Sequence, residues 1–175
     1  PNSTVGTAGL LGAVRTGAVN LTNSLGSILS QMPALLPYLP DACRYFFNEE
    51  LALPTLETYW CGDASQRNYV LANLNQLLLR NAFSISGTAP IDPSLLSKSE
   101  KEGLSKEILA EPERFVAQGR QDHSTTPVWS NGGLKPWKVA LRTFQLQRDG
   151  GVSVLPGGLA RVAPDGETLG YSPQS

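Results

Sequence analysis

Two turn signals in the last third of the chain constrain the fold more than any other sequence feature. Asn131-Gly132-Gly133 precedes the long run Lys138 to Gln147, and Asp149-Gly150-Gly151 follows that run. Asparagine, aspartate and glycine tolerate the positive φ angles of the tight turns that join antiparallel strands. We therefore predict an antiparallel meander here, with Pro156-Gly157-Gly158 as a further turn before a last strand over Leu159 to Ala163.

The first third of the chain is predicted to form only short helices. A proline removes a backbone donor and clashes with the preceding helical turn. Three prolines stand close together, at Pro33, Pro37 and Pro40. A helix over Ala42 to Leu51 is predicted between these breaks and Pro54, with Tyr45 and Phe46 facing inward. Short helices followed by a mainly antiparallel sheet make an α+β fold.

The middle of the chain alternates between strand and helix signals. Leu77-Leu78-Leu79, followed by Arg80, is typical of a short buried strand, and Phe115 to Gln118 is similar. Asp63 is expected to start a helix, with Gln66 completing a capping-box-like pattern. Ser97 or Ser99 is expected to cap another helix, which ends near Ala110.

The charge balance and the lengths of the apolar runs each argue against one class of partner. Lys and Arg number 14 against 15 Asp and Glu, the formal charge is −1, and no Lys/Arg-rich run occurs. Nucleic-acid binding draws much of its free energy from neutralised phosphates, so nucleic acid is not an expected partner. No apolar run approaches the roughly 18–20 residues that a membrane span requires, so no membrane partner is expected either.

The cysteines and the single histidine exclude several kinds of site. Cys43 and Cys61 lack CxxC spacing, and with His123 alone they cannot form a four-ligand zinc site. We expect two reduced, buried thiols, no metal site within the chain, and a cytoplasmic location. His123 stands directly between Asp122 and Ser124, and no GxSxG, GxxxxGK[ST] or strand-bound GxGxxG pattern occurs, which disfavours triad, P-loop and Rossmann chemistry.

Arg142 is the first candidate site residue that the strand pattern singles out. The two-residue period of a strand places it on the same face as Ala140, Phe144 and Leu146. Burying a guanidinium without a partner costs several kcal/mol, so Arg142 is expected to meet a carboxylate, a bound anion, or water at the sheet edge. The residues alone leave an ion pair and an anion site equally open.

Arg161 repeats this arrangement one strand further along, within Leu159 to Val162. Two arginines on nearby strands can converge on one polyanion. A guanidinium suits phosphate because its planar donors match two oxygens at once. Arg142 and Arg161 are therefore predicted as a candidate anion-binding pair.

A set of ordered segments resembles one known family over nearly the whole chain. The segments are residues 9–11, 15–17, 23–26, 33–40, 49–55, 59–62, 115–118, 125–129, 141–144 and 155–162. Each is weak alone, but in this order they resemble the circularly permuted ATP-grasp family, whose members look like carboxylate–amine ligases related to glutathionylspermidine synthetase.

The resemblance implies an ATP-dependent reaction in which the γ-phosphate passes to a carboxylate before an amine attacks. It implies that Arg80 binds phosphate and that Gln118 lines the adenine pocket. Arg142 would be the catalytic residue, and it would face the phosphate or acyl phosphate together with Arg161, because fixed positive charge stabilises developing negative charge.

The resemblance also implies that the chain is part of a longer protein. Residues 1–62 would form the helical and mixed part of the ATP-grasp-like core, and residues 63–175 its nucleotide-side subdomain. The Mg²⁺ ligands are expected outside this chain, which would be inactive alone. The implied partners are a nucleotide, a small amine and carboxylate or peptide substrate, and the remaining part of the parent chain.

Three departures from the family pattern support an alternative. Arg80-Asn81 replaces a lysine and a proline, Gly119 replaces a glutamate, and the loop from Ser84 to Pro93 has a single glycine. The alternative is a non-catalytic ATP-grasp-like scaffold or a partner-binding domain, the latter using the surfaces of Trp60 and Trp129.

Overall fold

The computed structural model describes residues 7–23, 26–83, 89–148 and 151–164, and it confirms an α+β fold. The four α-helices of these ranges are α1 (Leu10–Arg15), α2 (Leu39–Phe47), α3 (Ala64–Ala72) and α4 (Lys98–Ala110). The six strands are β1 (Thr58–Trp60), β2 (Leu77–Asn81), β3 (Phe115–Gly119), β4 (Thr125–Ser130), β5 (Gly133–Arg148) and β6 (Gly151–Ala163). Within the described ranges, no helix has the length and apolar character of a membrane span.

Helices α3 and α4 begin where the sequence predicts. The Asp63 carboxylate accepts hydrogen bonds from the backbone N–H groups of Ser65 and Gln66, at 2.9 Å each. In a capping box, the Gln66 side chain would accept a hydrogen bond from the backbone N–H of Asp63. Here it accepts from Trp60 N at 2.7 Å instead, which connects α3 to β1. Ser97 and Glu100 form a complete capping box at the start of α4.

The prediction for α2 is wrong in its bounds and in its buried face. The helix runs from Leu39 to Phe47 and ends at Asn48, whose φ of 53° is left-handed. Tyr45 and Phe46 are 83% and 72% exposed. The half-buried residues Leu39, Ala42 and Cys43 lie in the first part of the helix. Its last turn, from Arg44 to Phe47, is exposed, so Tyr45 and Phe46 have no packed layer to face.

The first sheet, sheet A, supplies most of the core. Its strand order is β1-β3-β2, with both pairings antiparallel. The central strand β3 is buried on both faces from Phe115 to Gln118, which explains its uninterrupted run of non-charged residues. Helices α3 and α4 cover one face, where the buried residues are Cys61, Val70, Leu77, Leu79, Leu104, Ile108, Phe115 and Ala117.

Sheet A draws strands from both sides of the division proposed after residue 62. Strand β1 precedes it and pairs with β3, which follows it, through Thr58↔Gln118, Tyr59↔Ala117 and Trp60↔Val116. The split into residues 1–62 and 63–175 stays a prediction about the parent protein. In this chain the two parts share one hydrogen-bonded sheet.

The second sheet, sheet B, is the predicted meander, with strand order β4-β5-β6. Asn131 and Gly132 have φ angles of 51° and 79°, so the β4–β5 turn has the positive φ values that its Asn-Gly sequence predicts. Strand β5 pairs with β6 through Arg148↔Gly151. The turn residues 149 and 150, like residues 84–88 of the predicted Ser84–Pro93 loop, lie outside the described residues.

Pro156-Gly157-Gly158 is a bulge inside β6, so its prediction as a turn is wrong. Between the pairs Thr143↔Gly158 and Gln145↔Val154 the register shifts, with the additional residues on β6. Proline has no N–H to donate and is confined to edges and bulges of sheets, and the φ of 146° at Gly157 favours glycine. The bulge keeps a single strand continuous where the sequence suggests two.

We predict that position 158 requires glycine, because the backbone of β5 lies too close to leave room for a side chain. A Cβ added there would lie 2.8 Å from the carbonyl oxygen of Arg142, which is backbone and cannot swing away. We expect Gly158→Ala to lower the free energy of unfolding by about 1–3 kcal/mol, measured by urea denaturation. Gly103→Ala is the control: it has open space in α4 and is expected to raise stability by up to about 1 kcal/mol. Equal, small effects of both changes would contradict this account of the bulge.

The two cysteines are free thiols in different surroundings. Cys61 is fully buried, and burial raises the pKa of its thiol to about 11. Since the thiolate is the nucleophile, Cys61 is predicted to resist alkylation at pH 8, where it stays protonated. Mass spectrometry after brief iodoacetamide treatment is expected to find the label on the half-buried Cys43 first. Faster labelling of Cys61 in folded protein would contradict its burial.

Candidate functional site

Arg80 and Gln118 lie on the face of sheet A opposite the main core. Leu77 and Leu79 point toward the core, so strand alternation turns Arg80 to the other side. In the antiparallel register, Arg80 pairs with Val116 and Gln118 pairs with Leu78. Arg80 and Gln118 are therefore diagonal neighbours, roughly 7–8 Å apart by the usual spacing of such pairs.

The Arg80 side chain carries a buried donor without an acceptor. Its Nε atom is buried and makes no hydrogen bond in the described part of the chain. Burial lowers the pKa of this guanidinium, because desolvation disfavours the charged form. Unpaired buried donors are rare in folded proteins. A bound anion is one group that would satisfy this donor, and charge-assisted bonds of this type are strong.

Gln118 is held in place by a neighbouring hydroxyl. It is 7% exposed, and its Nε2 donates to Thr58 Oγ1 over 3.3 Å. Thr58 lies directly opposite on β1. Leu78, Arg80 and Thr58, around it on this face, are half-buried.

Arg142 and Arg161 share one face of the β5–β6 pair. Arg142 pairs with Leu159, and Arg161 pairs with Ala140, which makes the two arginines diagonal neighbours. Lys138, two residues before Ala140 on β5, falls on the same face. Its Nζ lies 3.6 Å from Asp122 Oδ1, which offsets part of its charge. Arg161 is thus diagonal to both Lys138 and Arg142, and three cations line one face.

The face of sheet B that carries Arg142 is exposed, which leaves water at the surface among the partners expected for its guanidinium. Arg142 is exposed and Arg161 half-buried, and Phe144 and Leu146 on β5 are 45% and 36% exposed. The reason is that nothing within the described ranges covers this part of sheet B. Because Arg142 is exposed, its guanidinium does not carry the desolvation cost that burial would impose.

The structure thus brings the four predicted site residues together in two pairs. Arg80 with Gln118 lies on sheet A, and Arg142 with Arg161 lies on sheet B. Sequence reasoning missed Lys138 and Thr58. The two-residue period could have found Lys138, which shares the even positions of β5 with Arg142. No signal pointed to Thr58, because its strand is only Thr58–Trp60 and its partner is distant in sequence.

Glu57 lies beside the site of one departure from the family pattern. Gly119 N donates to Glu57 O at 2.9 Å, and a Cβ added at Gly119 would lie 3.6 Å from Glu57 Oε2. A carboxylate from the segment before β1 therefore stands close to where a glutamate side chain at position 119 would begin. The Tyr59 hydroxyl donates to this Glu57 carboxylate.

The described end of the Ser84–Pro93 loop is pinned to sheet A. Ile91 and Leu79 exchange backbone hydrogen bonds of 2.9 and 2.8 Å. Arg120, which follows β3, donates to both carboxylate oxygens of Asp92 and holds the pKa of that carboxyl well below its usual range. The chain after Arg80 is thus held close to β2. No group of three or more His, Cys, Asp or Glu within the described ranges could hold a metal ion.

Comparison with known proteins gives one consistent result. The family model for "circularly permuted ATP-grasp type 2" matches residues 1–163. A protein of Frankia alni named "Putative glutamate–cysteine ligase 2-3" is 34% identical over 94% of this chain, which is 19% of that protein. An uncharacterized protein of Mycobacterium tuberculosis is 32% identical over 93% of this chain and 29% of its own length. The chain thus spans about a fifth to under a third of these relatives.

Proposed function

Because this chain belongs to the circularly permuted ATP-grasp type 2 family, we propose that it forms the nucleotide side of an ATP-dependent carboxylate–amine ligase. The observation that carries the proposal is the buried Arg80 Nε, which has no acceptor among the described residues and shares a face with Gln118. An anion and a polar ring bound side by side would satisfy these two side chains. ATP offers both.

The residues of this chain would act by binding and by electrostatics. Arg80 would hold a phosphate through charge-assisted hydrogen bonds, and Gln118 would contact the base. Arg142 and Arg161 present two guanidinium groups on one face, where fixed positive charge stabilises the negative charge that develops during phosphoryl transfer. Mg²⁺ neutralises phosphate charge in such reactions, and its ligands are expected in the rest of the parent chain.

The substrate and location follow from the same proposal. The parent protein would join a small carboxylate to an amine or peptide, and glutamate with cysteine, named for the Frankia alni relative, is the first pair to assay. Its partner within the molecule would be the remaining part of the parent chain. A cytoplasmic location supplies ATP and a reducing environment that keeps Cys43 and Cys61 as thiols.

A non-catalytic scaffold or partner-binding role is the second candidate, and one observation favours it. Trp129 on the edge strand β4 is 71% exposed, as an aromatic contact residue would be. Trp60 fits this role less well, because it is half-buried and its Nε1 donates to Glu113 O at 3.0 Å. A scaffold needs no nucleotide, so nucleotide binding separates the two functions.

The test of the proposed function is thermal unfolding of the full-length parent protein with and without MgATP. A ligand that binds only the native state stabilises it by RT ln(1 + [L]/Kd), about 2.7 kcal/mol at one hundred times Kd. We expect a rise in Tm that grows with MgATP concentration up to the millimolar range. No shift at millimolar MgATP would contradict the ligase role and leave the scaffold.

A further inference from the structure

A short relay of hydrogen bonds fixes which end of the Gln118 amide faces outward. The Thr58 hydroxyl donates to Leu56 O over 2.9 Å. A hydroxyl carries a single proton, so Thr58 Oγ1 can only accept from a further neighbour. That neighbour is Gln118 Nε2, which donates to it over 3.3 Å.

The relay has a consequence for the amide of Gln118. Turning the amide over would bring its Oε1 against Thr58 Oγ1, and Thr58 could donate to it only by releasing Leu56 O. Nε2 is therefore held toward β1. Oε1 makes no hydrogen bond to the described part of the protein, and the side chains of Leu78, Arg80 and Thr58 around it are half-buried.

We propose that Thr58 is a positioning residue, which orients Gln118 so that the Oε1 of Gln118 accepts a hydrogen bond from the exocyclic amino group of a nucleobase. The inference rests on the proposed nucleotide-binding function and adds the choice of base to it. A 6-amino purine offers a donor to Oε1. A 6-keto purine places an oxygen there. Two acceptor oxygens, Oε1 and the keto oxygen, would then face each other in a desolvated site, and the nucleotide would bind less tightly.

The experiment compares two nucleotides that differ at one group. ATP has an amino group at purine position 6, and inosine triphosphate has a keto oxygen at that place. We expect the full-length parent protein to bind MgATP at least about tenfold more tightly than the magnesium complex of inosine triphosphate, measured by titration calorimetry. Thr58→Val keeps the shape and removes the hydroxyl, and it is expected to reduce this preference to about threefold or less.

Two further variants make the result specific to the relay. Thr58→Ser keeps the hydroxyl and is expected to keep the tenfold preference. Gln118→Met keeps the length of the side chain and removes the amide, so it is expected to lose the preference even if Thr58→Val does not fold. All variants are compared with the wild type by Tm.

The outcomes separate this inference from the function on which it rests. Equal binding of both nucleotides by the wild type would contradict the inference and leave the proposed function in place. An unchanged preference in folded Thr58→Val or Gln118→Met would also contradict it. If the wild type bound neither nucleotide, the proposed function would fail, and the inference with it.

Discussion

Replacing Arg80 by methionine is expected to weaken MgATP binding by the parent protein roughly 10- to 150-fold without lowering its stability. Hydrogen bonds to charged groups contribute about 1.5–3 kcal/mol, which gives this range of Kd. Stability is not expected to fall, because Arg80 Nε is buried and meets no acceptor in the part of the chain that the structure describes. Methionine removes that desolvated donor while keeping about the length of the side chain. Titration calorimetry and urea denaturation measure the two quantities.

Weaker nucleotide binding without a loss of stability distinguishes a binding residue from a structural one. A structural arginine would lose stability on replacement and leave nucleotide affinity unchanged in the folded fraction. Lys106→Met is the matched control, since Lys106 is an exposed cation on α4, and neither quantity is expected to change. If Arg80→Met reduced the stability and left the Kd for MgATP unchanged, Arg80 would have a structural role and the binding prediction would be contradicted.

Arg142→Gln is expected to reduce kcat of the parent ligase about 10²- to 10³-fold, with a change in stability within about 0.5 kcal/mol. The rate effect follows from removing a fixed positive charge close to developing negative charge. The small effect on stability follows from the exposure of Arg142 on β5. ADP formation with the substrates that support turnover measures the first, and thermal unfolding the second.

Strand β5 provides its own control for this prediction. Lys135 is exposed on the same strand, but the two-residue alternation places it on the opposite face from Arg142. Lys135→Gln is therefore expected to keep kcat within about twofold, since it changes the net charge by the same amount at a distance from the arginine pair. If Arg142→Gln lowered stability and left kcat unchanged, the scaffold role would be favoured.

Local signals in the sequence predicted the secondary structure where each element is decided by its own residues. The Asn131-Gly132 turn requires positive φ, and the capping box of Ser97 and Glu100 satisfies the first N–H groups of α4. The error at α2 has a different origin. Periodicity identifies an apolar stripe, but it does not show how far along the helix a packing partner extends. It therefore predicts that Tyr45 and Phe46 face inward, whereas both are exposed.

The candidate site depends on pairings between distant segments, and these were beyond the reach of local patterns. Gln118 meets Thr58, which is 60 residues away in the chain, through the pairing of β3 with β1. Arg80 becomes the diagonal neighbour of Gln118 only through the register of β2 on β3. The resemblance in the sequence pointed to Arg80 and Gln118 separately, and only the strand pairing shows that they are neighbours.

The pair on sheet B was closer to prediction because the hairpin connecting its strands is short. Arg142 and Arg161 were expected to converge, and the register places them on one face. The unpaired residues of the bulge, 155–157, precede Gly158, and the register from Gly158 to Arg161 is regular, so the bulge leaves this pairing intact. The exposure of the face could not be predicted, since it depends on what covers the sheet.

The most direct test of nucleotide binding by this chain is a crystal structure of the full-length parent protein with a non-hydrolysable ATP analogue and Mg²⁺. We predict that a phosphate oxygen lies within hydrogen-bonding distance of the Arg80 guanidinium and that the base contacts Gln118, with Arg142 and Arg161 facing the terminal phosphate. A nucleotide that is bound elsewhere and touches none of these four residues would contradict the proposal.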